Sequence, residues 1–156
     1  MTVVRRFRFS LESLLTLRSY AAREVEQRLA VATRRCIELE MRIDDCRVRR
    51  SRAFQLSRDT GADIELRFAQ GAYISQLEQT VSRLTTELET REKERLVVQR
   101  EYHEVAKQKK VLEKLKERRA DDYYKESMKH DQKDMDEIAS GVSARSRIQG
   151  GNDGSL

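Results

Sequence analysis

From Leu11 onward the apolar positions advance in alternating steps of four and three. They are Leu11, Leu15, Ala22, Val25, Leu29, Ala32, Cys36, Leu39, Ile43, Cys46 and Ala53, with Arg18 and Arg50 filling two sites of the same series. Such stepping keeps one stripe of a helix turned towards a neighbouring helix. It predicts a helix over residues 10–57, capped by Ser10, whose hydroxyl suits a free backbone N–H. The stepping resumes with Ile74, Leu77, Val81, Leu84, Leu88, Arg91, Arg95, Val98, Tyr102, Val105 and Lys109, and predicts a second helix over 64–139. Between the two, Arg58-Asp59-Thr60-Gly61-Ala62-Asp63 brings turn chemistry. Gly61 accepts positive φ at little steric cost and Asp63 is suited to cap the next helix, so 58–63 reads as a hinge.

A chain that doubles back at Thr60 brings together residues whose numbers sum to about 120, and an antiparallel coil requires an a position to meet a d position there. Cys36/Leu84, Leu39/Val81, Ile43/Leu77 and Ala32/Leu88 all satisfy this, with a small side chain facing a large one at Cys36/Leu84 and Ala32/Leu88. A slip of one or two residues would put Glu and Arg into most layers. The pattern therefore specifies an all-α fold: a long two-helix antiparallel coiled coil, or helical hairpin, as one domain over 1–139, with the second helix overhanging the first. Residues 140–156 hold four of the six glycines and no periodicity, and read as a flexible tail.

The departures from the repeat carry information of their own. Arg91 and Arg95 face Leu29 and Val25, so their stems can pack while their heads reach Glu26, Glu92 or Glu94. Arg18 is placed to stack on Tyr102. At the hinge end, Arg47, Arg49, Arg50, Arg52 and Arg58 surround Phe54, Phe68 and Tyr73, more aromatic surface than two helices enclose. At the other end, Phe7 and Phe9 are placed to reach over Val111, Leu112 and Leu115. That leaves Tyr123, Tyr124, Met128, Met135 and Ile138 without an internal partner. An isolated helix gains little stability without a packed face, so this end predicts a partner molecule.

Composition narrows the function classes. The chain has 156 residues, 38% of them charged and 6% aromatic, with no Pro to break long helices. Its 32 basic and 27 acidic residues are interspersed, and the net charge of +5 suits an acidic partner without requiring nucleic acid. Cys36 and Cys46, about 15 Å apart on one helix, are too distant for a bridge and read as reduced core fillers of a cytosolic protein. Arg8, Glu12 and Arg18 interrupt any signal-peptide core, and no stretch is apolar enough for a membrane span. His103 and His130 are isolated on charged helix, and no phosphate loop, GxSxG, CxxC or paired-His zinc spacing occurs. A non-enzymatic protein with no metal or other cofactor is expected, acting by binding, spacing or transmitting motion.

The opening Phe7-Arg8-Phe9-Ser10-Leu11-Glu12-Ser13-Leu14-Leu15-Thr16-Leu17-Arg18 resembles the start of the flagellar export protein family FliJ, with its alternating Phe and Leu-x-x-Leu-Leu-x-Leu-Arg run. Leu115-Lys116-Glu117-Arg118 and Asp131-Gln132-Lys133-Asp134-Met135-Asp136-Glu137-Ile138-Ala139 resemble that family's second signature, an acidic-Arg element followed by Q-K-x-x-D-E-x-A. The resemblance covers about residues 5–140, with the motifs in the right order at both ends of the hairpin. It implies the central stalk of the hexameric export ATPase in a flagellar type III apparatus, cytoplasmic and peripheral at the inner-membrane base of the flagellum. By this resemblance Leu11, Leu14, Leu15, Arg118, Gln132, Lys133, Asp136 and Glu137 bind the ATPase ring, while Tyr73 and Leu77 match the element that meets the membrane export gate. Phe54 and Phe68 join them as candidates for gate or export-chaperone binding. The alternatives are the equivalent stalk of a virulence injectisome and a coiled-coil scaffold that self-associates through the overhang.

Overall fold

The computed structural model describes residues 6–59 and 63–150. They form an all-α helical hairpin of two helices, α1 (Glu12–Asp59) and α2 (Ile64–Gly150). The expected hinge residues Thr60, Gly61 and Ala62 lie outside the described residues. Contacts gather into two compact units, Leu17–Lys109 and Met1–Thr16 with Lys110–Leu156.

Three helix ends test the sequence reading. At the start of α2, Asp63 acts as the expected cap: its Oδ1 accepts from the Glu65 N–H at 3.1 Å and its carbonyl accepts from the Arg67 N–H at 3.1 Å. At the start of α1 the cap falls one residue later than expected. The Leu11 carbonyl takes the first helical bond, from the Leu15 N–H at 2.9 Å, while the Ser10 hydroxyl accepts from Arg119 Nη1 at 2.9 Å. At the far end, α2 continues to Gly150, so residues 140–150 are helical where a flexible tail was expected. An interior glycine costs a helix only about 1 kcal/mol relative to Ala, and no proline follows to stop it. Gly141 lies in open space, with nothing within 4 Å of a Cβ built there, so packing does not interrupt the helix either.

In Leu17–Lys109 the two helices bury the heptad stripe. Ala22, Val25, Cys36, Leu39, Ile43, Ala53, Leu77 and Leu84 are all buried. The tightest knot is Leu39, Ile43 and Leu84, with Cys46, Val81 and Leu88 packed around it, so Leu84 packs with Ile43 and Leu39 where Cys36 was expected. The cross-helix pairs Arg50–Glu78 and Arg28–Glu101 agree: the register lies about one heptad from the expected one, a shift that still sets a against d. Leu84 is only 2% exposed, and burying such a side chain is worth about 1.5–3 kcal/mol. Both cysteines are free thiols, Cys36 buried and Cys46 partly so.

Charged pairs flank this seam. Arg28 Nη1 meets Glu101 Oε1 at 2.9 Å from one helix to the other, and both residues occupy g positions beside the a/d stripe, where antiparallel partners meet. Arg50 reaches Glu78 at 3.7 Å. Arg91 turns its head to Glu94 at 3.0 Å, one of the partners its position allowed. The hydrogen bond to Glu94, with its charge, raises the Arg91 guanidinium above its ordinary value. The expected stacking of Arg18 on Tyr102 is not formed among the described residues; the Tyr102 ring lies 6.0 Å from that of His103 on the same helix. Thr80, Thr85, Thr86 and Thr90 each donate to the carbonyl four residues earlier, which satisfies their hydroxyls within α2.

In the other unit residues 6–9, which precede a turn in which the Glu12 N–H donates to the Phe9 carbonyl, meet α2. Phe9 is buried, with the Arg119 guanidinium 5.9 Å from its ring centroid, and Phe7 packs on Tyr123 at 5.7 Å between centroids. These rings meet α2 beyond the expected stretch, and Val111 stays 60% exposed. The reason is the register of the pair: Glu12 already meets Lys116 and Ser10 meets Arg119, about one heptad further along α2 than the expected layers set them.

Candidate interaction surfaces

Among the described residues no group of three or more His, Cys, Asp or Glu side chains could hold a metal ion, and no helix is long and apolar enough to cross a membrane. The sequence-predicted interaction residues lie at two exposed surfaces. Each unit carries one.

In Met1–Thr16 with Lys110–Leu156, the N-terminal segment is fastened to α2 by three kinds of contact. Lys116 Nζ meets the Glu12 carboxylate at 2.8 Å, Arg119 joins Ser10, and the Phe9 and Phe7 rings lie against Arg119 and Tyr123. Tyr123 in turn meets Tyr124 edge to face at 5.6 Å. Past Ser127 this cover ends: every described side chain from Met128 to Arg145 is exposed. Tyr124, Met128, Met135, Ile138 and Val142 fall on one stripe, because steps of four, seven, three and four residues return to nearly the same direction at about 100° per residue. All five are more than half exposed, Met128 by 72%.

The residues expected to bind a ring divide on this surface. Leu15 is buried and Leu11 half-buried, so they support the segment from within, while Leu14 is exposed. Arg118, Gln132, Lys133, Asp136 and Glu137 are all exposed. Gln132 and Asp136 flank the apolar stripe, and Lys133 and Glu137 lie nearly opposite it, by the same rotation per residue. His130, expected to be solvated, is exposed, and its Nδ1 lies 3.1 Å from Asp134 Oδ2 one turn on.

In Leu17–Lys109 the second surface surrounds the fold-back end. Phe68 is 80% exposed, Phe54 50% and Tyr73 43%, so all three rings stand largely clear of the helix pair. Leu77 is 8% exposed and belongs to the seam, which leaves it little surface to offer a partner. Leu56, Ile64 and Leu66 add exposed apolar surface that the aromatic count alone did not indicate.

Sequence reasoning missed the anchoring roles of Glu12, Lys116 and Arg119. A signal was available: once one helix is paired with a segment of opposite direction, complementary charges just outside the apolar stripe can be looked for layer by layer.

The model of the flagellar FliJ protein family matches residues 7–147. The chain belongs to the FliJ family. It is thus a flagellar export-associated protein, of a family known as a non-catalytic component of that machinery. No curated protein and no solved structure shows significant similarity to it. The FliJ match begins at Phe7, the first ring laid on α2, and takes in the whole exposed stripe through Val142.

Proposed function

We propose that this FliJ-family chain is the coiled-coil stalk of a flagellar export ATPase, a non-enzymatic part that binds the ATPase ring and couples it to the export gate and chaperones. The observation that carries the reading is the bare stretch of α2 from Met128 to Arg145, an apolar stripe bordered by charge. A solvated helix of that length needs a partner to make its apolar face favourable. Ring binding is assigned to Leu14, Arg118, Gln132, Lys133, Asp136 and Glu137, with Leu11 and Leu15 supporting them from beneath. Phe54, Phe68 and Tyr73 are assigned to the gate or to chaperones, with Leu77 holding the helix that carries Tyr73. The protein would work in the cytoplasm at the inner-membrane base of the flagellum.

The test is co-purification with the export ATPase of the same organism, followed by its hydrolysis rate with and without this chain. Stimulation that falls at least severalfold with Arg118→Glu and Lys133→Glu together is the expected result. Unchanged stimulation and assembly would place the interface elsewhere. A second reading, a scaffold that self-associates through the same stripe, is favoured by Met128, Met135 and Ile138 lying together in the open. Sedimentation distinguishes it, since a scaffold dimerises with concentration and shows no affinity for the ATPase. An injectisome stalk would instead capture the ATPase of a virulence system.

A further inference from the structure

Between Arg47 and Arg58 the last turns of α1 carry five arginines and no carboxylate. Arg47, Arg49 and Arg50 are answered by Asp44, Asp45 and Glu78. Arg52 and Arg58 form no ion pair among the described residues, nor does Arg67 on the first turns of α2. With Arg47, Arg49 and Arg50 answered, the cations without an ion pair among the described residues at this end are Arg52, Arg58 and Arg67. The Asp63 carboxylate is already occupied in capping α2.

Set among these cations are Phe54, Leu56, Ile64, Leu66 and Phe68, exposed by between 39% and 80%. Ala53 is 6% exposed, whereas every side chain from Asp63 to Ala69 is exposed, so these apolar side chains stand beyond the packed part of the helix pair. From the union of unpaired guanidinium groups with bare apolar side chains, we propose that this end of Leu17–Lys109 docks on an anionic lipid surface, with Phe68 and Ile64 entering the headgroup boundary and Arg52, Arg58 and Arg67 on lipid phosphates.

Two features favour lipid over other polyanions. Leu56, Ile64 and Leu66 have no π-face, so a nucleic acid that stacks on Phe54 or Phe68 gains nothing from them, whereas the acyl boundary takes all five. Phe54 and Leu56 also point about 200° apart around α1, as do Ile64 and Leu66 around α2. A rigid protein face meets one direction, but a fluid boundary closes around the whole end. Guanidinium binds phosphate oxygens through two parallel N–H groups, and its stem packs along acyl chains while its head stays at the interface.

The chain contains no Trp, so Phe68→Trp supplies a single reporter in the full-length protein. With vesicles of phosphatidylglycerol and phosphatidylcholine the protein should co-sediment and its emission shift to the blue, and neither should occur with phosphatidylcholine alone. Arg52→Glu with Arg58→Glu should weaken partitioning by about tenfold or more, and raised salt should do the same. Phe54→Ser with Ile64→Ser should abolish the blue shift of the reporter. Circular dichroism of each variant separates loss of binding from loss of helix. Absence of co-sedimentation, equal binding by the charge-reversed variant, or adhesion without any blue shift would each overturn the proposal. Capture of poly-glutamate or single-stranded DNA in place of vesicles would overturn it too, and would assign the arginines to an acidic protein or to nucleic acid. The assay contains no ATPase, so its failure leaves the stalk reading untouched.

Discussion

Residues 17–109 and the unit built from the two chain ends use the same helices under different rules. In the first, each helix supplies the other's apolar stripe, and eight side chains from Ala22 to Leu84 are buried. In the second, α2 has residues 6–9 and the first turn of α1 laid on it. Phe9 and Leu15 are the buried side chains there among the described residues, and every described side chain of α2 beyond Ser127 is exposed. A stripe with a complementary stripe in the same chain becomes a core, while the one from Tyr124 to Val142 stays open. That difference places most of the buried core in one region and an open apolar face in the other.

The largest expected effect lies where the cover is complete. Leu84→Ala removes the most deeply buried side chain from between Leu39 and Ile43, and should cost about 2–5 kcal/mol in urea unfolding followed by helical circular dichroism. A loss below about 1 kcal/mol would mean that the helices collapse into the gap, and the contrast between a tight and a loose region would fail.

Phe9→Ala probes the other region. Its ring is buried, with the Arg119 guanidinium 5.9 Å from its centroid. The expected cost is about 1–3 kcal/mol, towards the lower end of what large-to-small changes produce. It should be felt locally. Hydrogen exchange should quicken around Leu112–Tyr123 while protection around Leu39 and Leu84 is unchanged. A fall in protection at Leu84 equal to that at Tyr123 would show that the two units open together.

The helix pair was legible because the heptad period and the requirement that a meet d are sequence quantities, but neither separates registers a heptad apart, and Ile43 rather than Cys36 packs with Leu84. Asp63 was identifiable as a cap because its carboxylate, just ahead of the resumed helix-forming run, can accept from a free backbone N–H. The end of α2 was misread because four glycines and serines suggest a tail, yet one Gly in a helix is a small cost that the neighbouring Val142 and Arg145 do not add to. The landing points of Phe7 and Phe9 were misplaced because the layers were paired one heptad short, as Glu12 meeting Lys116 shows. Leu77 illustrates a deeper limit: the same leucine fits a family contact motif and a core layer, and only its 8% exposure separates the two uses.

The smallest expected effect bears on whether charge contributes to the contrast. Arg28–Glu101 lies beside the tight seam and Glu12–Lys116 in the open unit, at 2.9 and 2.8 Å, with side chains between 40% and 53% exposed in both pairs. Water screens each pair to a similar degree, so double-mutant cycles to Ala should give nearly equal couplings of about 0.2–1 kcal/mol, falling towards zero at high salt. A cycle is needed because Glu12 also sits in the first turn of α1, where a negative charge is favoured without any partner. Equal couplings would locate the whole difference between the regions in apolar burial. A coupling several times larger for Arg28–Glu101 would mean that the packed seam lowers the local dielectric enough for charge to help fix the register of the two helices.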